Sequence, residues 1–157
     1  MKKDFSGKKE YGNMRNCMEV MLHSNVVPIV NENDTVSIKE LMFTDNDELS
    51  GLVAVLMGCD KLVILTNVDG IYDGNPSEEG SSLIRSIRPK EDFSSFISDS
   101  RSSLGRGGMH SKYKIARDTA AAGIKVIIAN GKRDNVLYDV LVRPESVLHT
   151  EFLTNED

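Results

Sequence analysis

The sequence predicts an α/β fold, a three-layer sandwich on a mainly parallel central sheet. Three short apolar runs rich in β-branched residues occur at Val26–Val30, Lys61–Thr66 and Ile124–Ala129. Segments with helical periodicity lie between them. Short buried strands that alternate with helices are typical of a parallel sheet covered on both faces. Ligands of such folds bind at the carboxyl ends of the strands.

The first predicted element is an amphipathic helix. Its apolar residues recur at helical spacing, at Met14, Cys17, Met18, Met21 and Leu22. Cys17 and Cys59 lie on or beside apolar helical faces. We therefore expect both to be reduced core residues of a cytosolic protein, without a disulfide.

The other predicted elements continue the alternation. The proline in Val26–Val30 favours a strand start or an edge strand. Gly123 is a suitable C′ residue for the helix before it, and Asp134 is a candidate cap for the last helix. In chain order, the further predictions are a short strand or ribbon at Val36–Met42, a helix at Leu49–Met57, a loop at Pro76–Ser82, a strand and short helix within Leu83–Ser103, a helix at Met109–Ala122 and a final helix that ends at Leu141.

Composition limits the class of protein. The 157 residues carry 24 acidic and 19 basic side chains, for a net charge of −5, and 39% of them are hydrophobic. This length predicts about one domain with a real core. The acidic balance argues against a nucleic-acid partner. No apolar run approaches the length of a membrane span, and the N-terminus does not resemble a signal peptide, so we expect a cytoplasmic protein with no membrane partner.

A glycine-rich turn that leads into a helix is the most informative local feature. Three glycines in four positions, Gly105, Gly107 and Gly108, precede the helix that carries Lys112. The N-terminus of a helix presents unpaired N–H groups and a positive dipole end, which suit a phosphate. Lys112 adds a positive charge there. A plain helix-entry turn would show the same pattern, so this segment alone leaves both interpretations open.

Polar residues follow each predicted strand. They are Asn31 to Asp34 after the first, Thr66 and Asn67 after the second, and Asn130 and Gly131 after the third. Loops are polar by default, so loop and cap roles remain an alternative to ligand binding. Asp45, Asn46 and Asp47 precede a helix, where one residue suffices as a cap. Carboxylates and amides near a phosphate loop can also orient Mg²⁺ or bind an amine.

Other chemistries find little support in the sequence. No His, Cys or Asp cluster has the spacing of a zinc site, and no serine nucleophile elbow occurs. The three histidines, His23, His110 and His149, are scattered and lack partner motifs, so structural or exposed roles are expected for them. His149 lies in what the sequence suggests is a tail.

Four motifs together resemble the glutamate 5-kinases of the amino-acid kinase family. They are Val27–Val36, Thr44–Ser50, Leu65–Tyr72 and the glycine loop through Lys112. They occur in the family's order and cover Phe5 to Asp139. The first two are specific to the glutamate-phosphorylating enzymes, whereas the last two occur more widely among amino-acid kinases. The first motif argues against the acetylglutamate and uridylate kinases, which remain the related alternative.

The resemblance implies an enzyme that transfers the γ-phosphoryl group of ATP, with Mg²⁺, to the side-chain carboxylate of L-glutamate, the first step of proline biosynthesis. Asp34 and Asn46 match substrate-binding positions. Asp47 matches an acidic residue that orders the lysines and metal, and with Lys112 it would form the catalytic pair. No protein residue is assigned as a direct metal ligand. The resemblance places the nucleotide on Thr66, Asn67, Arg106, Gly107, Gly108, Met109, His110, Ser111 and Lys112.

The main departure from the family pattern is an absence. Family members begin with a strand and a glycine-rich loop that carries a lysine, and neither precedes the matched region. We therefore expect residues 1–157 to form the nucleotide-binding half of a kinase domain, without the N-terminal lobe and without a C-terminal RNA-modification-like module. The expectation is that this chain alone is nearly silent in catalysis and self-associates as a homo-oligomer through an exposed strand edge. A non-catalytic ATP-binding or assembly module is the alternative.

Overall fold

The computed structural model describes residues 4–31, 45–97 and 108–156, with side chains from residue 11 onward. Four α-helices and four strands are present in these ranges. The helices are α1 (Asp4–His23), α2 (Asn46–Met57), α3 (Met109–Ala121) and α4 (Val136–Val142). The strands are β1 (Lys61–Thr66), β2 (Ser86–Ile87), β3 (Lys125–Asn130) and β4 (His149–Phe152).

The strands form one sheet in the order β1-β3-β4-β2. β1 pairs with β3 in parallel, so that Thr66 lies beside Asn130 at the carboxyl end of both strands. β2 and β4 are also parallel, whereas β3 and β4 are antiparallel. The prediction of a mainly parallel sheet is therefore confirmed, with β1 at one edge of the described sheet.

Helices cover both faces of the sheet. Val126 and Ile128 of β3 pack in a cluster with Tyr113 and Ala116 of α3. The alternate residues of β3 pack in a second cluster with residues of α4. Because successive side chains of a strand point to opposite faces, β3 separates the two clusters. The predicted three-layer sandwich is confirmed.

The helices α2 and α3 approach each other closely. Gly51 of α2 is buried, and a Cβ atom there would lie 2.8 Å from Cγ2 of Ile115 and 2.9 Å from Oγ1 of Thr119 in α3. Both neighbours are β-branched and hold their side chains stiffly. The glycine thus lets α2 and α3 pack against each other at this point.

We expect Gly51→Ala to lower the free energy of unfolding by up to about 2 kcal/mol. Overpacking costs about 1–3 kcal/mol, and a gain of roughly 1 kcal/mol in helix propensity offsets part of that cost. Gly12→Ala in α1 is the matched control, since a Cβ there would meet nothing within 4 Å. Urea unfolding of both variants checks the prediction, and a stabilised Gly51→Ala variant would contradict it.

Four predicted features differ from the structure. Val26–Val30 forms no strand among the described residues, and Ile29 is 94% exposed. Cys17 is exposed, so its assignment to the core was wrong, although both cysteines are free as expected. The cap position of α4 is Asn135, in the left-handed conformation with φ 57°, and not Asp134. His149 begins a strand and is buried, where a tail was expected.

The other element predictions agree with the structure. α1, α2, α3, β1 and β3 lie where helices and strands were expected. Gly123 has φ 90° just after α3, as a C′ glycine requires. The region after β1 contains a short strand and a 3₁₀ turn, Ser94–Phe96. The predicted strand at Val36–Met42 lies outside the described residues.

Candidate active site

The N-terminal turns of α2 and α3 meet through an ion pair. Nζ of Lys112 lies 2.6 Å from Oδ2 of Asp47, and each side chain is only 16% exposed. A charge-assisted hydrogen bond of this length is among the stronger polar contacts in proteins. The structure therefore brings together the two residues that the sequence assigned to catalysis.

Asp45 supports this contact from the position before α2. Its Oδ1 atom accepts a hydrogen bond from the backbone N–H of Glu48 at 3.0 Å, so Asp45 is the N-cap of α2. Its Oδ2 atom accepts a hydrogen bond from the hydroxyl of Ser111 at 3.2 Å. One carboxylate thus caps α2 and ties it to the first turn of α3.

Both helix N-termini lie at the carboxyl end of the parallel strands. α2 turns back through Gly58 into β1, and α3 turns back through Gly123 into β3. A helix that precedes its strand in this way starts at the end of the sheet where the strand finishes. The partial positive charges of two helix N-termini therefore face one region, together with the ammonium group of Lys112.

Gly108 forms the entry to α3. It occupies the N-cap position with an extended backbone, and its carbonyl oxygen accepts the hydrogen bond from the N–H of Lys112 at 3.3 Å. Met109, His110 and Ser111 form the first turn of the helix. The N-terminus of a helix carries a partial positive charge, which favours a nearby anion.

A second polar group lies at the carboxyl ends of β1 and β3. The hydroxyl of Thr66 donates to Oδ1 of Asn67 at 3.3 Å. The amide of Asn130 donates to Oδ1 of Asp69 at 3.1 Å, and Nε of Arg133 lies 3.7 Å from the same oxygen. The turns after the two strands are therefore joined by their side chains.

Tyr72 adds its phenol group to this second cluster. Burial raises the pKa of Tyr72 above its ordinary value, and the adjacent Asp69 carboxylate raises this pKa further, while Arg133 lowers it. Because its pKa is raised, the phenol stays protonated at neutral pH.

The predicted site residues thus fall into two described groups. Asp47 and Lys112 meet at the helix N-termini, next to Asn46, Gly108, Met109, His110 and Ser111 in the chain. Thr66 and Asn67 lie at the end of β1. Asp34, Arg106 and Gly107 lie outside the described residues. The sequence interpretation missed the Asp45–Ser111 contact and the Asp69–Asn130–Arg133 cluster, because pairing between side chains distant in sequence leaves no local signal.

The described residues include neither a metal-binding cluster nor a membrane-spanning helix. Within residues 4–31, 45–97 and 108–156, no group of three or more His, Cys, Asp or Glu side chains could hold a metal ion. No helix in the same ranges is long and apolar enough to cross a membrane.

A cavity of about 590 Å³ lies between α3 and the side of the sheet that carries β2 and β4. It extends from His110 and Ser111 to Phe152 and Leu153 of the sheet, and Thr66, Asn67 and Lys112 do not line it. Its charged side chains are paired within the protein, as with Arg117 and Asp92 at 3.1 Å. This cavity therefore borders the first turn of α3 without containing the ion pair.

Comparison with known proteins identifies the family. The model of the Amino acid kinase family matches residues 2–130, and the chain belongs to that family. A crystal structure of an isopentenyl phosphate kinase substrate complex has the same fold. It aligns with a TM-score of 0.52 and 22% identity, over 69% of this chain and 40% of that one.

Curated relatives show which enzymes of this family the chain is similar to. The chain is 54% identical to a glutamate 5-kinase of Bacteroides thetaiotaomicron over 156 residues, which is 99% of this chain and 43% of the relative. It is 48% identical to a glutamate 5-kinase of Chlorobaculum tepidum over 140 residues, which is 88% of this chain and 38% of the relative. The chain thus spans about two fifths of the length of the curated relatives that it matches.

Proposed function

We propose that this chain is the nucleotide-binding half of a kinase domain that phosphorylates the side-chain carboxylate of L-glutamate with ATP. The product, glutamyl 5-phosphate, would enter proline biosynthesis, in the cytoplasm. The observation that supports this proposal most directly is the Lys112–Asp47 pair at two adjoining helix N-termini. The likeness to glutamate 5-kinases over 99% of the chain supports the substrate.

The phosphates of ATP would lie along residues Arg106 to Lys112, which include the first turn of α3. Phosphoryl transfer requires positive charge around the moving group and strict positioning more than covalent chemistry. The ammonium group of Lys112 and the N–H groups of the helix supply that charge. Asp47 would hold Lys112 in place until the nucleotide arrives, and the base would lie near Thr66 and Asn67.

Mg²⁺ fits this arrangement as a partner of the nucleotide. Magnesium in such sites is held by one or two carboxylates together with the substrate phosphates. Since the described carboxylates form no cluster of three, most ligands of the ion would come from ATP and water. The bound ion would neutralise charge on the phosphates, close to the carboxylate of Asp47, which lies 2.6 Å from Nζ of Lys112.

Glutamate would be recognised by Asp34 and Asn46. Asn46 is exposed in the first turn of α2, directly before Asp47. It is therefore placed to contact a substrate whose acceptor carboxylate approaches the phosphates. We also propose that the protein forms homo-oligomers, because β1 is an edge strand of the described sheet and an open edge favours association.

The function is tested by binding and turnover on the 157-residue chain. Titration calorimetry with Mg·ATP is expected to give a dissociation constant below about 1 mM, the upper end of ordinary enzyme affinities. ADP release is then measured with glutamate, N-acetylglutamate or UMP as acceptor, and hydroxylamine traps any acyl phosphate as a hydroxamate.

The outcomes bear on the candidate functions in different ways. Release that glutamate alone stimulates would support glutamate as the substrate, whereas stimulation by N-acetylglutamate or UMP alone would replace the substrate. Binding of ATP with no stimulated release is the result expected of a nucleotide-binding half that is nearly silent alone, and a non-catalytic ATP-binding module would give the same result. Absence of ATP binding would overturn the proposed function of the helix N-termini.

A further inference from the structure

The turns after β1 and β3 are joined at three points. The β1 turn comprises residues 66–70, and the β3 turn comprises residues 130–133. The N–H of Gly131 donates to the carbonyl oxygen of Thr66 at 2.8 Å. The Asn130 amide donates to Asp69 at 3.1 Å, and Arg133 lies 3.7 Å from that carboxylate. These contacts with the β3 turn therefore hold the β1 turn in position.

The side chain of Asn130 is itself held in one orientation. Its Oδ1 atom accepts a hydrogen bond from the N–H of Lys132 at 3.0 Å, while its Nδ2 atom donates to Asp69. The carbonyl oxygen of Asn130 accepts a further bond from the N–H of Arg133 at 3.2 Å. Both ends of the amide are thus engaged, which makes Asn130 a rigid link between the turns.

We propose that Asn130 and Asp69 are positioning residues for the nucleoside half of the bound nucleotide, acting through Thr66 and Asn67. This inference rests on the proposed function. Groups that orient a ligand act best when neighbouring hydrogen bonds fix their own positions. Thr66 precedes Asn67 in the β1 turn, and Asp69 follows both, so the link to Asn130 holds the segment that would contact the nucleoside.

The partial burial of Asn130 and Asp69 bears on whether they position the ligand or stabilise the fold. The Arg133 side chain is 42% exposed and the Asp69 side chain is 22% exposed, whereas the Asn130–Asp69 hydrogen bond is part-buried. A single hydrogen bond of this kind contributes modestly to folding stability. Loss of the link should therefore leave the chain folded and lower its affinity for the nucleoside. The phosphate region at the start of α3 has its own contacts and should be unaffected.

The test compares ATP with inorganic tripolyphosphate as calorimetric ligands of the full chain. Asn130→Ala is expected to raise the dissociation constant of Mg·ATP about three- to tenfold, the usual effect of one lost hydrogen bond. Its affinity for Mg·tripolyphosphate should stay within about twofold of the original chain. Asp69→Asn keeps an oxygen acceptor but loses the attraction to Arg133. It should also weaken ATP binding without weakening tripolyphosphate binding, by a smaller factor than Asn130→Ala.

Asn75→Ala is the matched control. Nδ2 of Asn75 also donates to a carboxylate oxygen at 3.1 Å, that of Glu78, in an exposed turn. This variant should leave the affinity for both ligands unchanged, and it should shift the melting temperature no more than Asn130→Ala does, because its hydrogen bond is exposed.

The outcomes distinguish this inference from the function on which it rests. Unchanged ATP affinity in Asn130→Ala and Asp69→Asn, or an equal loss of ATP and tripolyphosphate affinity, would overturn the positioning role and leave the proposed function standing. If the original chain binds neither ligand, both proposals fail.

Discussion

Lys112→Ala is expected to raise the dissociation constant of Mg·ATP by about 10- to 150-fold. A hydrogen bond to a charged group contributes about 1.5–3 kcal/mol, which corresponds to that range. Lys112 projects from the first turn of α3, where the helix N–H groups also favour an anion. Tripolyphosphate should lose affinity to a similar degree, because Lys112 is assigned to the phosphates and not to the base.

The same substitution has a structural cost that must be separated from binding. The Asp47 side chain is 16% exposed, and without Lys112 it becomes a largely buried carboxylate with no cation beside it. We expect a loss of about 1–3 kcal/mol in unfolding free energy, below the 3–5 kcal/mol of a fully buried pair. Adding Asp47→Asn to Lys112→Ala should restore part of this stability without restoring ATP affinity.

Lys114→Ala supplies the matched control on the same helix. Lys114 pairs with Asp118 at 3.2 Å, but its side chain is 72% exposed. An exposed pair of this kind contributes little, so both stability and ATP affinity should remain near those of the original chain. Equal ATP affinity in the Lys112→Ala and Lys114→Ala variants, measured by calorimetry, would remove Lys112 from the site.

The parts of the fold that the sequence predicts well are those with strong local signals. The bounds of β1, Lys61–Thr66, agree exactly, because an apolar β-branched run ends there at a polar turn. α2 and α3 have caps and glycines at their ends, which mark where each helix begins and stops. Such signals act within a few residues and can be read without knowing the tertiary structure.

The errors arise where tertiary contacts decide the structure. Val26–Val30 has a strand-like composition, yet a strand also requires a pairing partner, and none lies beside it among the described residues. β4 is only four residues long and pairs with β3 in the antiparallel direction, so neither its pattern nor its flanks distinguished it from a tail. The start of α4 is set by Asn135, whose backbone is left-handed, and composition does not reveal that conformation.

The candidate site, like the fold, was predictable only where the signal is local. The glycine loop and Lys112 could be assigned from neighbouring residues, whereas the assignments of Asp47, Asn46 and Asp34 depended on the resemblance to a family. The structure adds the Lys112–Asp47 contact, but no local pattern indicated that Asp69 and Asn130 meet, since 61 residues separate them. Contacts of that kind require knowledge of the sheet order.

A buried hydroxyl under the β1 turn should have a large effect on stability. Thr150 of β4 is 0% exposed. Its Oγ1 atom accepts a hydrogen bond from the N–H of Ile71 at 2.8 Å and donates to the carbonyl oxygen of Ile84 at 2.7 Å. A Cβ on Gly70 would meet this hydroxyl, so the chain after β1 lies directly on Thr150. One side chain thus holds the segments at Ile71 and Ile84 against β4 by hydrogen bonds.

Thr150→Val is expected to lower the free energy of unfolding by about 2–5 kcal/mol. Valine has nearly the shape of threonine, so the change leaves a buried N–H and a part-buried C=O without this partner. The cost is about 1–3 kcal/mol for the N–H and about 1–2 kcal/mol for the less buried C=O. Thr150→Ser retains the hydroxyl and loses only a methyl group, which should cost about 1 kcal/mol. Urea unfolding measures both variants. If valine is tolerated as well as serine, the hydroxyl does not fasten these segments, and packing around Gly70 must hold the β1 turn in place.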